Sequence, residues 1–216
     1  MSERTDHPGA TEGLVDPTDY RANCGVGVVM DLDGDRSHET VSDGLELLEN
    51  LEHRGTTGAD EKTGDGAGIL LQTPHEFFDD EIDDLPESGD YAVGSFFMPQ
   101  NNQATAHLQD LTETILAEHG LDVFAWRNVP TDNETLGETA VESEPNVVQC
   151  FVRSDLNDDA FDHALYIARR DLENTVEERQ PDGYARFYVC SIDRDTVVYK
   201  GLLTAEQLPS YYPELL

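Results

Sequence analysis

Apolar positions along the chain fall into short β-branched runs and helical ladders, separated by acidic and glycine-bearing turns. Residues 1–22 carry Asp, Glu, Thr, Pro and Gly without any period and read as a flexible leader. A strand is expected over 25–30, stopped by Asp33 and Gly34. Val41, Leu45 and Leu48 recur at helical spacing, which predicts an amphipathic helix over about 39–53, capped by Ser37 or Ser42. Gly58, Gly64, Gly66 and Gly68 crowd the next loop, ahead of a strand over 67–72. At Gly64, Gly66 and Gly68 the expected reason for glycine is a tight turn with positive φ.

An acidic loop over 79–90 leads into a strand over 91–98. Ala104, Leu108, Leu111, Ile115 and Leu116 mark a helix that Gly120 is placed to end. A strand over 123–129, a connection rich in Asp and Glu, and an alternating strand over 147–152 follow. Phe161, Leu165, Ala168, Leu172 and Val176 then define a long helix over 158–178. The aromatic and β-branched runs 184–192 and 196–202 flank a short polar turn and read as an antiparallel hairpin. No internal repeat is present, and 216 residues suffice for one domain with a real core, one that buries about 70% of its unfolded surface.

Charge changes the picture more than composition does. Thirteen basic residues against 46 acidic ones give a net charge of -33, which repels nucleic acid. The acids are interleaved with apolar positions instead of forming one block, and Lys62 and Lys200 are the only lysines. Such a surface suits concentrated salt, because at 1 M the Debye length is about 3 Å and self-repulsion is screened. A halophilic protein is therefore expected. Cys24, Cys150 and Cys190 are an odd set without close spacing, so neither a disulfide framework nor a CxxC metal site is indicated, and a reducing, cytoplasmic setting is expected. The seven histidines are dispersed, no metal site is expected, and no run approaches the ~20 apolar residues of a membrane span.

The candidate chemistry starts at Cys24-Gly25-Val26-Gly27. If the peptide bond before Cys24 is cleaved, one residue carries both a thiol and a free amine. An α-amino group with a pKa of about 7.7–8.0 can take the thiol proton and later return it to a leaving amine, so no histidine is needed. Without that cleavage, a cysteine at a strand end is most simply a small buried hydrophobe.

Four strings decide between these readings: Cys24-Gly25-Val26-Gly27, Asn50-Leu51-Glu52-His53-Arg54-Gly55, Gly58-Ala59-Asp60, and Lys62-Thr63-Gly64-Asp65-Gly66-Ala67-Gly68-Ile69-Leu70. Together they resemble the class II glutamine amidotransferase domain of the glutamate synthase large subunit. Pro74-His75-Glu76-Phe77-Phe78, the stretch from Val198 to Thr204 with Gln207-Leu208, and the stretch from Tyr212 to Leu215 continue the likeness. The long string from Lys62 argues against other class II amidotransferases, such as those that feed purine synthesis.

The resemblance implies an α+β fold, a four-layer αββα sandwich of the amino-terminal-nucleophile hydrolase type. It also implies that residues 1–23 are a propeptide and that 24–216 are the amino-terminal part of the amidotransferase domain. Cys24 would be the nucleophile acting on L-glutamine, Arg54 a substrate-binding residue, and Gly25, Asp65 and Gly66 parts of the pocket loop. No cofactor is implied for this segment. FMN and an iron-sulfur cluster are implied for the complete enzyme, whose other domains join in cis or in trans. A small subunit or ferredoxin is a further implied partner, and whether pyridine nucleotide or ferredoxin gives the electrons is left open.

The family's arginine clamp for the glutamine carboxylate and its Asn-Gly oxyanion segment belong further downstream than residue 216, so the sandwich is expected to be incomplete at the C-terminus. Losing one oxyanion donor costs about 100- to 1,000-fold in rate. An inactive truncated fragment, or an acidic binding module that docks onto a complementary chain, therefore stands as the alternative.

Overall fold

The computed structural model describes residues 25–51, 55, 57–58, 60–179 and 186–216. The expected leader, Cys24 and Arg54 lie outside the described residues. Helix α1, His38–Asn50, starts at Ser37, whose Oγ accepts from the Thr40 N–H at 3.4 Å. Strand β1, Ala67–Gln72, alternates half-buried and exposed positions, so it has one packed face. Helix α2, His75–Glu81, occupies the start of the expected acidic loop and buries Phe78.

Strands β2, Tyr91–Met98, and β4, Asn146–Arg153, are buried almost end to end. They sit inside a four-stranded antiparallel sheet of order β3-β4-β2-β5, where β3 is Asp122–Asn128 and β5 is Tyr188–Asp193. Between them run α3, Asn102–Glu118, the short α4, Glu138–Ser143, and α5, Asp158–Arg179. Asn101 caps α3 by accepting from the Gln103 and Ala104 N–H groups. Gly120, at φ +77, lets the last carbonyls of α3 be met from residues 120 and 121. The buried faces of α3 and α5 pack on Ala92, Phe96, Val148, Cys150 and Val152 to form one core.

Strand β6, Thr196–Gly201, pairs with β1 in a separate two-stranded antiparallel sheet. Helix α6, Gln207–Tyr211, and a 3-10 turn, Pro213–Leu215, close the described chain. Phe78, Tyr91, Val93, Phe151, Val197, Tyr199, Leu208 and Tyr212 form a second core on the other face of β2 and β4.

Two expectations require correction. Residues 25–30 form no strand: Val26, Val28 and Met30 are exposed, and no ladder hydrogen bond among the described residues engages them. β-branched content makes a strand only where an edge and a buried face receive it. The expected hairpin is also replaced. β5 pairs with β2 and β6 with β1, so the turn between them hands the chain from one sheet to the other. Asp193 Oδ1 makes that turn by accepting from the Asp195 N–H, the Thr196 N–H and the Thr196 hydroxyl, at 2.9–3.1 Å.

Candidate active site

Gly25 opens the described chain and is half-buried. Asp65 and Gly66 lie in the loop that feeds β1, and both are exposed. They line an open groove of about 590 Å³ along the β1-β6 sheet, together with Gly68, Leu70, Phe97 and Lys200. The Lys200 ammonium donates to the Tyr188 hydroxyl at 2.9 Å and lies 4.2 Å from its ring centroid, so the groove carries a fixed positive charge on one wall. A smaller hollow of about 190 Å³ continues past Lys200 toward Glu144, Arg186 and Tyr211.

The three loop glycines divide by cause. Gly66 alone of the three has φ in the left-handed region, at +133. Gly64 lies against the backbone of Leu203 and Thr204, where any Cβ would collide, and a Cβ on Gly68 would also strike Tyr199 and Lys200, though less closely. For Gly64 and Gly68, close backbone approach replaces the expected positive φ as the requirement for glycine.

Upstream of Asp65 the loop folds on itself. Thr57 and Gly64 form an antiparallel bridge, the Gly58 N–H donates to the Thr63 carbonyl at 2.7 Å, and the Glu61 N–H donates to the Gly58 carbonyl at 3.0 Å. Asp60 organises this turn. Its Oδ1 accepts from the Lys62 and Thr63 N–H groups at 3.1 and 2.8 Å, and its Oδ2 accepts from the Thr63 hydroxyl at 2.5 Å. The Thr63 hydroxyl, its backbone N–H and the neighbouring N–H donors hold the Asp60 carboxyl well below the usual carboxylate range.

The same two side chains reach a distant element. The Thr139 N–H donates to Asp60 Oδ2 and the Ala140 N–H to Thr63 Oγ1, each at 3.3 Å. These are first-turn donors of α4, whose own N-cap residue is Gly137 and offers no side chain. A Cβ on Gly137 would strike Asp60 and Thr63, so the cap has been moved to another part of the chain. Gln207 adds a second tie: its Nε2 donates to the Lys62 and Thr135 carbonyls at 3.0 and 2.8 Å, while its Oε1 accepts from the Thr204 N–H at 2.9 Å.

The structure thus brings Asp65 and Gly66 together at one groove and supports them from Asp60, Thr63 and Gln207. Those last three residues lie within the motif stretches, where the sequence pattern alone assigns them no role. The readable signal was a glycine in the capping position before residues 138–143.

No group of three or more His, Cys, Asp or Glu side chains placed to hold a metal occurs among the described residues, and no helix there is long and apolar enough to cross a membrane.

Comparison with known proteins completes the picture. The glutamine amidotransferases class-II family matches residues 24–216. A glutamate synthase [NADH] of Saccharomyces cerevisiae is 38% identical over 94% of this chain, which is 10% of that protein's own length. The glutamate synthase [NADPH] large chain of Bacillus subtilis is 37% identical over 94% of the chain and 14% of its own length. A ferredoxin-dependent glutamate synthase of Antithamnion sp. is 37% identical over 90% of the chain and 13% of its own length. The chain therefore spans about a tenth to a seventh of these relatives. With a family match from residue 24 to residue 216 and an antiparallel α+β framework beneath it, the chain belongs to the class II glutamine amidotransferases.

Proposed function

We propose that residues 24–216 are the amino-terminal part of the glutaminase domain of a glutamate synthase, serving glutamate biosynthesis and ammonia assimilation. The observation that carries this reading is the class II match starting on Cys24, joined to glutamate synthase similarity over 90–94% of the chain. Removal of residues 1–23 frees the Cys24 amine. That amine takes the thiol proton as sulfur attacks the carboxamide carbon of glutamine. The C–N bond then breaks, the amine returns its proton to the departing ammonia, and water cleaves the thioester to give glutamate. Arg54 binds the substrate, with Gly25, Asp65 and Gly66 shaping the pocket.

The antiparallel sheets β1-β6 and β3-β4-β2-β5 support the four-layer sandwich expected for this class. In the complete enzyme, FMN and an iron-sulfur cluster belong to other domains. The described residues do not fit a cluster: Cys150 is buried in β4, Cys190 is half-buried in β5, and they gather with no further ligand. No step of the glutaminase reaction runs through these groups. The names of the relatives favour a pyridine nucleotide or ferredoxin as the eventual electron source, with a small subunit as a further partner. The net charge of -33 supports a halophilic protein, and two free thiols support a cytoplasmic one.

The test is glutamine hydrolysis by the full-length parent. Mass spectrometry should find the mature start at Cys24, and both Cys24→Ala and a diazoketone analogue of glutamine should abolish ammonia release. Persistent ammonia release from Cys24→Ala would end this reading.

A further inference from the structure

We infer that Asp60 and Thr63 are positioning residues for the substrate groove, acting as a clamp that docks the 57–66 turn onto the first turn of α4. The inference rests on the glutaminase reading for its substrate, and on the geometry alone for the clamp.

Three observations converge. First, α4 begins at a residue without a side chain, and the donors left open there, on Thr139 and Ala140, are met by Asp60 and Thr63. Second, the fit is reciprocal, because Gly137 leaves the volume that the two side chains occupy. Third, the turn lies between two stretches tied to the chemistry. In sequence it follows the string that holds Arg54, and its far leg runs through Gly64 into Asp65 and Gly66 at the groove.

A helix start can be capped locally by a single Ser or Asp, and such a cap would leave the loop free. Supplying the cap from 77 and 79 residues away makes the helix and the loop one unit. Thr63 is 5% exposed and uses its hydroxyl in both directions, donating to Asp60 and accepting from Ala140. Gln207 holds the carbonyl of Lys62, which lies between Asp60 and Thr63, to Thr135 and Thr204. The groove wall is thereby set by a network whose centre is the Asp60-Thr63 hydrogen bond.

The experiment uses the full-length parent enzyme with Thr63→Val, which keeps the shape and loses the hydroxyl, and Thr63→Ser, which restores the hydroxyl. Asp60→Asn is the second site. Hydrogen exchange at residues 57–66 and 138–141 and the kinetics of glutamine hydrolysis are read together. Thr63→Val and Asp60→Asn should speed exchange in both segments and raise the KM for glutamine by about tenfold, with a smaller change in kcat, as expected when a charge-assisted bond is lost. Thr63→Ser should return both toward wild type.

Faster exchange with KM within about twofold of wild type would overturn the positioning role and leave a merely structural cap. Unchanged exchange would overturn the clamp itself. A wild-type parent that does not hydrolyse glutamine would sink the glutaminase reading alone, and the exchange data would still decide the clamp.

Discussion

The Arg127 guanidinium and the Glu214 carboxylate form a two-point ion pair in the second core, at 2.6 and 3.3 Å, with each side chain only 8% exposed. Tyr199 donates its hydroxyl to the same carboxylate at 2.6 Å, and the Gln149 side-chain Oε1 accepts from Arg127 at 2.8 Å. The pair fastens the 3-10 turn after α6 to strands β3, β4 and β6. Arg127 also lies over the rings of Phe77 and Phe78, which ties in α2.

Removing Arg127 leaves Glu214 buried without a counterion, and removing Glu214 leaves Arg127 only the half-exposed Glu81 carboxylate at 3.6 Å. Glu214→Gln or Arg127→Met should therefore cost about 3–5 kcal/mol. For a domain of this size that is a fall of about 10 °C in Tm. The double replacement Arg127→Leu with Glu214→Leu should recover most of the loss, because neither charge then needs solvation. Thermal unfolding of the four proteins in one buffer checks this. Equal losses in the single and double replacements would show that the pair is not acting as a unit.

Gly64 and Gly89 offer a paired comparison. Gly64→Ala forces a methyl into the Leu203–Thr204 backbone, whereas Gly89, at φ +95, has open space around it. Gly89→Ala should cost about 1–2 kcal/mol from backbone strain alone. Gly64→Ala should cost more and should also disturb the groove, since Gly64 precedes Asp65. Denaturant titration ranks the two, and equal costs would contradict the close approach at Gly64.

Burial pushes the Cys150 and Cys190 thiols up to about 12. The unfolded chain releases those protons near pH 8.5, so the thiols' contribution is complete below that pH and is lost as pH rises through the folded values. Stability should fall from roughly pH 9 to 12, by up to about 1.4 kcal/mol per pH unit for each thiol. Cys150→Ala should flatten the slope by one such increment, measured by denaturant unfolding at several alkaline pH values. At pH 8 neither thiol should alkylate readily in the folded protein, so labelling there reports Cys24.

The lowered Asp60 carboxyl gives a pH expectation of the opposite sign. Its contribution is present above the ordinary carboxylate pKa of about 3.9 and is lost only as pH falls through its lower folded value. The clamp should therefore stay intact across pH 5–8, and the KM for glutamine should show no acid limb from Asp60 in that range. An acid limb that vanishes in Asp60→Asn would contradict this.

The long, strongly periodic elements were legible in the sequence. The helix expected over 158–178 is α5, and the apolar runs at 67–72 and 91–98 are β1 and β2. Short helices were not, because at seven and six residues α2 and α4 are too short to show a helical period, and α4 takes its N-terminal cap from distant Asp60 and Thr63. Strand partners were also illegible, since the segments 188–193 and 196–201 look alike and only distant edges decide which sheet receives each. Cys24 and Arg54 were named from motifs and lie outside the described residues. Asp60 and Thr63 gain meaning only when α4, far along the chain, is brought beside them.

The register of the small sheet has a consequence for synthesis. Ala67 pairs with Gly201 and Gln72 with Thr196, so β1 waits for more than 120 residues before its partner exists. At about 5–20 residues per second, the nascent chain spends roughly ten seconds with Ile69 and Leu71 unsheltered. A ribosome-bound chain stalled before residue 196 should therefore recruit chaperones that the finished chain releases, and the groove wall should be among the last parts to settle.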